Sequence, residues 1–154
     1  MARRFRFTLQ PLLEHRGRIE DQKQQAVALR QIAHDEAQRD LDRLDREFRE
    51  SSALLRTEHK RYDLEQLRLH YAHVQFLDRA IVAQIRVVAE RRIELDRSRQ
   101  ELLASSKDRK IVEKLKERRR EAFTNEESRI EQNELDDGNA RRFGRSMQRM
   151  GGAT

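Results

Sequence analysis

The sequence predicts an all-α fold, specifically a long antiparallel two-helix coiled-coil hairpin, on three observations. Apolar residues recur every seven positions through the middle of the chain, which places them on one stripe of a helix that must be buried against another helix. No Pro or Gly interrupts the chain from Arg18 to Asp137. Charged residues of both signs make up 40% of the chain, as expected of solvent-facing coiled-coil positions. The stripe consists of Val74, Ile81, Val88, Leu95 and Leu102.

The composition argues against several other classes of protein. Only 36% of the 154 residues are hydrophobic, which is too few for a thick globular core. A disordered chain is disfavoured because the apolar residues are periodic. The absence of Cys excludes disulfides and thiolate metal sites. No run approaches the roughly 18 apolar residues of a membrane span, so we expect a cytoplasmic protein.

The first helix is predicted over residues 8–59, after a basic N-terminus at residues 1–7. Thr8 is a candidate N-cap, and Pro11 then falls in the first turn, where its missing N–H costs little. Apolar positions continue at helical spacing, with a predicted stutter through Ala33, Ala37 and Leu41. These positions are Leu12, Ile19, Ala26, Leu29, Ala33, Ala37, Leu41, Leu44, Phe48 and Leu55.

The turn is predicted at residues 60–63, because Asp63 and Gln66 have the spacing of a capping box. The second helix then covers residues 64–136 and stops at Gly138, and residues 137–154 form a basic flexible tail. The whole chain, 1–154, is expected to be one coiled-coil domain. A single continuous helix through residues 60–63 remains an alternative, because no Gly or Pro marks the turn.

No pattern of residues predicts catalysis, a cofactor or a metal. The chain lacks a Gly-rich phosphate loop and a nucleophile elbow. His70 and His73 lie three residues apart without a third ligand nearby, so we interpret them as polar surface residues. The same interpretation applies to the carboxylates of Glu126, Glu127, Glu131 and Glu134. We therefore predict a protein that is not an enzyme.

Excess positive charge lies in three segments, residues 3–18, 107–120 and 141–149, and gives a net charge of +6. In a hairpin the first two meet at the end that holds the termini. A protein partner is favoured over nucleic acid, because acidic residues interrupt the second segment at intrahelical pairing distances. Near the turn, Phe76 falls off the apolar stripe; its ring either folds over the hairpin or is an exposed docking residue.

Three segments together resemble the FliJ family, the small coiled-coil component of the bacterial flagellar type III export apparatus. They are Phe5–Arg16, with the sequence FRFTLQPLLEHR, Tyr71–Ile81, which contains FLDRAI, and Lys107–Arg118, with the sequence KDRKIVEKLKER. The third segment is followed by Glu131, Gln132 and Asp136. Their order and spacing cover nearly the whole chain.

The resemblance implies a stalk similar to the rotor stalk of rotary ATP synthases. Its terminal end enters the hexameric flagellar export ATPase, its turn reaches a membrane export gate protein, and it escorts export chaperones. The protein is then peripheral on the cytoplasmic side of the membrane. The ATPase-binding residues implied are Leu9, Leu12, Leu13, Arg16, Lys107, Arg109, Lys110, Lys114 and Arg118. The gate-binding residues implied are Tyr71, Val74 and Leu77.

Three alternatives remain open from the sequence. One is a basic coiled coil that binds nucleic acid, although no specific nucleic acid is expected. The second is a homodimeric scaffold coiled coil. The third is the equivalent stalk of a virulence type III secretion system.

Overall fold

The fold is all-α, as predicted, and consists of two long helices packed antiparallel. The computed structural model describes the backbone of residues 4–150 and the side chains of residues 4–145. Helix α1 is Gln10–Glu58, a short 3₁₀ helix follows at His59–Arg61, and helix α2 is Leu64–Met150. No strand occurs within the described range.

The chain divides into two compact units, each built from both helices. Unit 1 combines Met1–Arg16 with Asp108–Thr154, and unit 2 is Gly17–Lys107. In unit 2, Lys23 contacts Glu101 and Arg30 contacts Glu94. In unit 1, Gln10 contacts Lys116 and Arg16 contacts Asp108. In both units, the residue number of the α2 partner falls as the residue number along α1 rises, as expected of antiparallel helices.

The predicted stripe of α2 lies in the interface with α1, which we call the seam. Leu95 is buried, and the other four members of the stripe are half-buried. Leu77, three residues after Val74, is only 1% exposed. The equivalent position in the next three heptads holds Gln84, Arg91 and Ser98, so one side of the seam is partly polar.

The seam of α1 differs from the predicted one, because polar residues occupy several of its positions. The seam positions alternate by three and four residues from Leu13 to Glu58, without the stutter predicted near Ala33. Leu29, predicted to lie in the seam, is 68% exposed. Ile19, Ala26 and Ala33 are half-buried and flank the seam. The seam positions include Glu20, Lys23, Val27, His34, Ala37, Leu41, Phe48 and Leu55.

Helix α2 begins with the predicted capping box. The Gln66 backbone N–H donates to Asp63 Oδ1 at 2.8 Å. In return, the Asp63 backbone N–H donates to Gln66 Oε1 at 3.1 Å. Two N–H groups that lack helical partners are thus satisfied. His70 packs against Tyr62, with ring centroids 4.5 Å apart, and so helps to join the turn to α2.

The C-terminal end of α2 lies later than predicted. The helix continues through Gly138 and Gly144 to Met150, so the predicted stop near Asp136 is wrong. A glycine ends a helix by adopting a positive φ, and none of the described glycines has one. The predicted tail of residues 137–154 is therefore helical up to Met150, and residues 151–154 lie outside the described range.

Candidate partner-binding sites

The N-terminal segment of unit 1 is held against α2 by two aromatic contacts. The Phe7 side chain is buried, and the Arg119 guanidinium lies over its ring, 5.8 Å from the centroid. The rings of Phe5 and Phe123 lie 5.7 Å apart at a tilted angle. Such aromatic and cation–π contacts each contribute about 0.5–1 kcal/mol at partly exposed sites. The segment before α1 is therefore a packed part of unit 1.

Polar contacts complete this N-terminal attachment. Arg119 Nη1 donates to the Thr8 hydroxyl at 3.2 Å, and Lys116 Nζ donates to Gln10 Oε1 at 2.8 Å. The Thr8 hydroxyl, predicted as an N-cap, thus accepts a hydrogen bond from α2. The Leu9 carbonyl accepts the helical hydrogen bond from the Leu13 N–H at 3.0 Å.

Sequence reasoning missed Lys116, Arg119 and Phe123 as the α2 residues that hold the N-terminus, although two of the three continue the heptad stripe. Counting seven residues on from Leu102 leads to Arg109, Lys116 and Phe123. The heptad stripe therefore continues past Leu102, with two charged residues followed by an aromatic residue. The signal was present in the spacing, but a search for apolar residues alone passes over it.

The predicted ATPase-binding cations fall into two groups. Arg16 pairs with Asp108 at 3.2 Å, and Arg109 pairs with Glu113 at 2.9 Å, so both are engaged in ion pairs of unit 1. The other cations of unit 1 in this set, Lys110, Lys114 and Arg118, are exposed. The remaining one, Lys107, is also exposed but belongs to unit 2.

Lys110, Lys114 and Arg118 form one line along α2. Their spacing of four residues places them on the same side of the helix, and in the described structure none of the three side chains has a hydrogen bond or an ion pair. Ile111, beside this line, is largely exposed. We call these three cations the basic line.

The three predicted leucines lie at the start of α1. Leu9 and Leu13 are half-buried, and Leu12 is exposed. Leu9 and Leu13 therefore contribute to packing within unit 1, whereas Leu12 is accessible to a partner.

The predicted gate-binding residues differ in accessibility. Tyr71 is 59% exposed, Val74 is half-buried, and Leu77 is buried in the seam. Tyr71 and Val74 border an open cavity of about 540 Å³ in unit 2. Phe76 is 65% exposed, so its ring does not fold onto the hairpin. Leu77 is a core residue of unit 2 in this structure and is not available for contact with a partner.

Ion pairs lower the pKa of two carboxylates in unit 2, mainly through a pair within α2 for Glu94 and through a pair with α1 for Glu101. Hydrogen bonding to Arg91, with the charge of Arg30 nearby, lowers the pKa of Glu94 below its ordinary value. Hydrogen bonding to Lys23 lowers the pKa of Glu101 in the same way. In α1, the His34 and Gln31 side chains lower the pKa of Asp35. These charged forms stabilise the helix pair and do not indicate an acid–base site.

The described residues contain no cluster of three or more side chains able to hold a metal ion. Neither helix, over the part searched, has a stretch long and apolar enough to span a bilayer.

Comparison with known proteins found one family. The model of that family, described as the flagellar FliJ protein, matches residues 5–148. No curated protein and no solved structure matched the chain. Because the match covers the N-terminal segment from Phe5 and nearly the whole of both helices, the chain belongs to the flagellar FliJ family.

Proposed function

We propose that this chain, a component of the flagellar protein export apparatus, is the non-enzymatic stalk of that apparatus. Unit 1 inserts into the ring of the hexameric export ATPase and promotes its assembly and activity. The exposed aromatic residues of unit 2 near the turn contact the membrane export gate protein. The chain itself hydrolyses nothing, and its role is to couple the two partners.

The basic line is the observation that carries the proposal. Several arginines elsewhere on the helices pair with Asp or Glu, for example Arg92 with Asp96. Lys110, Lys114 and Arg118 lack such partners and point to the side of α2 away from the seam. Three accessible cations in a row complement an acidic surface, and electrostatic complementarity of this kind orients a partner and speeds association.

The C-terminal part of α2 gives further support. Every described side chain from Ser128 to Arg145 is exposed, including those of Ile130, Leu135 and Phe143. A helix segment that leaves apolar side chains in water gains free energy when a partner covers them. Insertion into a ring would cover such a segment on all sides.

For contact with the gate protein, we propose Tyr71 and Phe76. Both rings are more than half exposed, and exposed aromatic residues are frequent anchors of protein interfaces. Val74 contributes from the edge of the neighbouring cavity. The buried Leu77 supports this surface from beneath by packing in the seam.

The proposed mechanism is mechanical. A two-helix stalk has a different surface on each side, so at any moment it contacts the six ATPase subunits unequally. Unequal contacts favour different nucleotide states in different subunits, which is the differential binding that any coupling requires. The basic line on one side of α2 provides such a difference.

The test is a titration of purified ATPase with this chain, with turnover and ring assembly as readouts. The test variant carries Lys110→Gln, Lys114→Gln and Arg118→Gln. Loss of three charge contacts should raise the concentration needed for half-maximal stimulation by at least about tenfold. Substitution with Gln avoids new repulsion with neighbouring Glu residues, and helicity by circular dichroism should not change.

The matched control carries Arg39→Gln, Arg43→Gln and Arg46→Gln. These exposed cations of α1 belong to unit 2, and their replacement removes the same net charge. The control should stimulate the ATPase as the original chain does. No stimulation by the original chain, or an equal loss in both variants, would exclude the basic line as the ATPase contact.

A further inference from the structure

An open cavity of about 790 Å³ lies in unit 1 between the N-terminal segment and α2, apart from the basic line. Arg6, Lys116 and Arg120 contribute three cations to its lining, and none of the described residues that line it is acidic. Phe5, Phe7 and Pro11 contribute apolar surface. We call this the N-terminal cavity. The remaining lining residues are Thr8 and Gln10.

The cations around this cavity have no carboxylate partner. Lys116 donates to the neutral amide of Gln10. The Arg6 and Arg120 side chains are exposed and form no ion pair in the described structure. Carboxylates are nearby in the sequence of α2, at Glu117 and Glu121, yet neither pairs with these arginines. The three cations thus have no ion-pair partner among the described residues, and the carboxylates of Glu117 and Glu121 line a separate cavity that Arg120 also borders.

We propose that the N-terminal cavity binds a short acidic peptide segment that also carries an apolar side chain. Its carboxylates contact Arg6 and Arg120, and its apolar side chain packs on Phe5 and Pro11. The segment belongs to another protein, and the inference does not depend on which protein supplies it.

The size and lining of the cavity favour a peptide over a small inorganic anion. Binding sites for small organic ligands have volumes of about 300–1,000 Å³, and the N-terminal cavity lies within that range. A free phosphate would neutralise the cations but leave the aromatic and proline surfaces in water. A segment with both acidic and apolar side chains satisfies both parts of the lining.

Binding should also tighten the N-terminal segment. Arg6 lies on the segment before α1, and Arg120 lies on α2. A ligand that contacts both residues joins the segment to the helix, in addition to the Phe7–Arg119 contact. Ligand binding to the folded form stabilises it, so the amides of residues 5–9 should exchange hydrogen more slowly when the peptide is bound.

Fluorescence anisotropy tests the proposal with the full chain and labelled five-residue peptides. The first probe alternates Glu with Leu and Phe, the second replaces each Glu by Gln, and the third is five Glu residues. The first should bind most tightly, with the other two at least about tenfold weaker, because each lacks one of the two required features. Equal binding of the first and third probes would show a generic polyanion site and overturn the proposal.

The test variant carries Arg6→Gln and Arg120→Gln, which leaves the Lys116–Gln10 hydrogen bond intact. The control carries Arg39→Gln and Arg46→Gln, an equal loss of charge at exposed residues of unit 2, outside the cavity and the basic line. The test variant should bind the first probe at least about tenfold more weakly than the original chain, and the control should bind it normally. Equal weakening in both variants would mean binding to net charge and would overturn the proposal.

A competition with inorganic phosphate separates a small anion from a peptide. Phosphate should displace the first probe only at concentrations where added chloride of equal ionic strength does so too. Displacement by phosphate at far lower concentration would assign the cavity to a small anion and overturn the proposal. These assays contain no ATPase, so their failure would leave the stalk function untouched, and the failure of ATPase stimulation would leave the cavity assignment untouched.

Discussion

Replacing Leu77 with Ala separates a core role from a binding role at one predicted gate residue. The side chain is 1% exposed and lies in the seam of unit 2. Truncation to Ala removes three carbon atoms, which at about 0.8 kcal/mol each corresponds to a transfer term near 2.4 kcal/mol. Measured Leu→Ala costs in cores span about 2–5 kcal/mol because a cavity is left behind. A two-helix seam can partly collapse, so we expect about 2–3 kcal/mol.

Leu69→Ala is the matched control, because Leu69 has the same side chain on the same helix but is 67% exposed. Its effect on the free energy of unfolding should stay within about 0.5 kcal/mol. Urea titration followed by helical circular dichroism measures both variants, and the slope with urea should not change.

Equal stability of the two variants would refute the assignment of Leu77 to the seam. A binding assay provides a second test of the assignment of Leu77 to the seam. Without urea, and at a temperature where the variant is fully folded, the Leu77→Ala variant should bind the gate protein normally. Loss of binding under those conditions, with helicity unchanged, would show that Leu77 contacts the partner.

The remaining predictions concern the turn, the ion pairs and the N-terminus. Asp63→Ala removes one acceptor of the capping box and should lower the free energy of unfolding by about 1 kcal/mol in a urea titration, whereas Asp78→Ala, at an exposed position within α2, should not. Folding lowers the pKa of Glu94 and of Glu101. Their contribution to the stability of the folded chain is therefore complete above the ordinary pKa of 4.5 and is lost as the pH falls through the lower pKa values of the folded state. Replacing both residues by Gln should therefore reduce the drop in melting temperature that the original chain shows on acidification. Phe7→Ala should speed hydrogen exchange at residues 5–9, and Phe76→Ala should not.

The sequence predicted the main outline of the fold because two independent signals agreed. The seven-residue stripe of α2 identified a helix that needs a partner, and the Asp63–Gln66 spacing located its start. Both capping hydrogen bonds are present. The stop at Gly138 was wrong because glycine permits a helix end without requiring one, and the destabilisation of roughly 1 kcal/mol within a helix is small.

The seam of α1 could not be read from apolar residues, because charge and hydrogen bonding decide several of its positions. Glu20, Lys23 and His34 occupy seam positions, where a pattern search expects Leu or Val. Long charged side chains can pack their methylene groups in a thin seam and extend the charge to solvent. The exposed Leu29 then falls outside the seam although it is apolar.

The candidate sites were predictable only in part, for a related reason. Cations near the termini are evident in the sequence, but which of them are accessible depends on pairing. Arg109 is engaged by Glu113, whereas Lys110, one residue later, faces solvent. The N-terminal cavity could not be predicted at all, since it forms where a non-helical segment packs alongside α2.

The polar residues of the seam have a structural consequence of their own. In unit 2, Lys23–Glu101 and Arg30–Glu94 are separated by seven residues on both helices. Sliding α1 by one heptad to bring Arg30 opposite Glu101 would place Lys23 opposite Asp108, so these two cations would again face carboxylates, while Arg16 would lose Asp108. It would, however, bring Ala37 opposite Glu94 and remove the Gln84–Ala37 hydrogen bond. Two of these three cross-helix ion pairs could thus form again after a shift, so these pairs define the register only weakly, and the turn with its capping box fixes it. Exposed ion pairs contribute little to stability. Their role here is to allow a partly polar seam between two helices that the turn has already aligned.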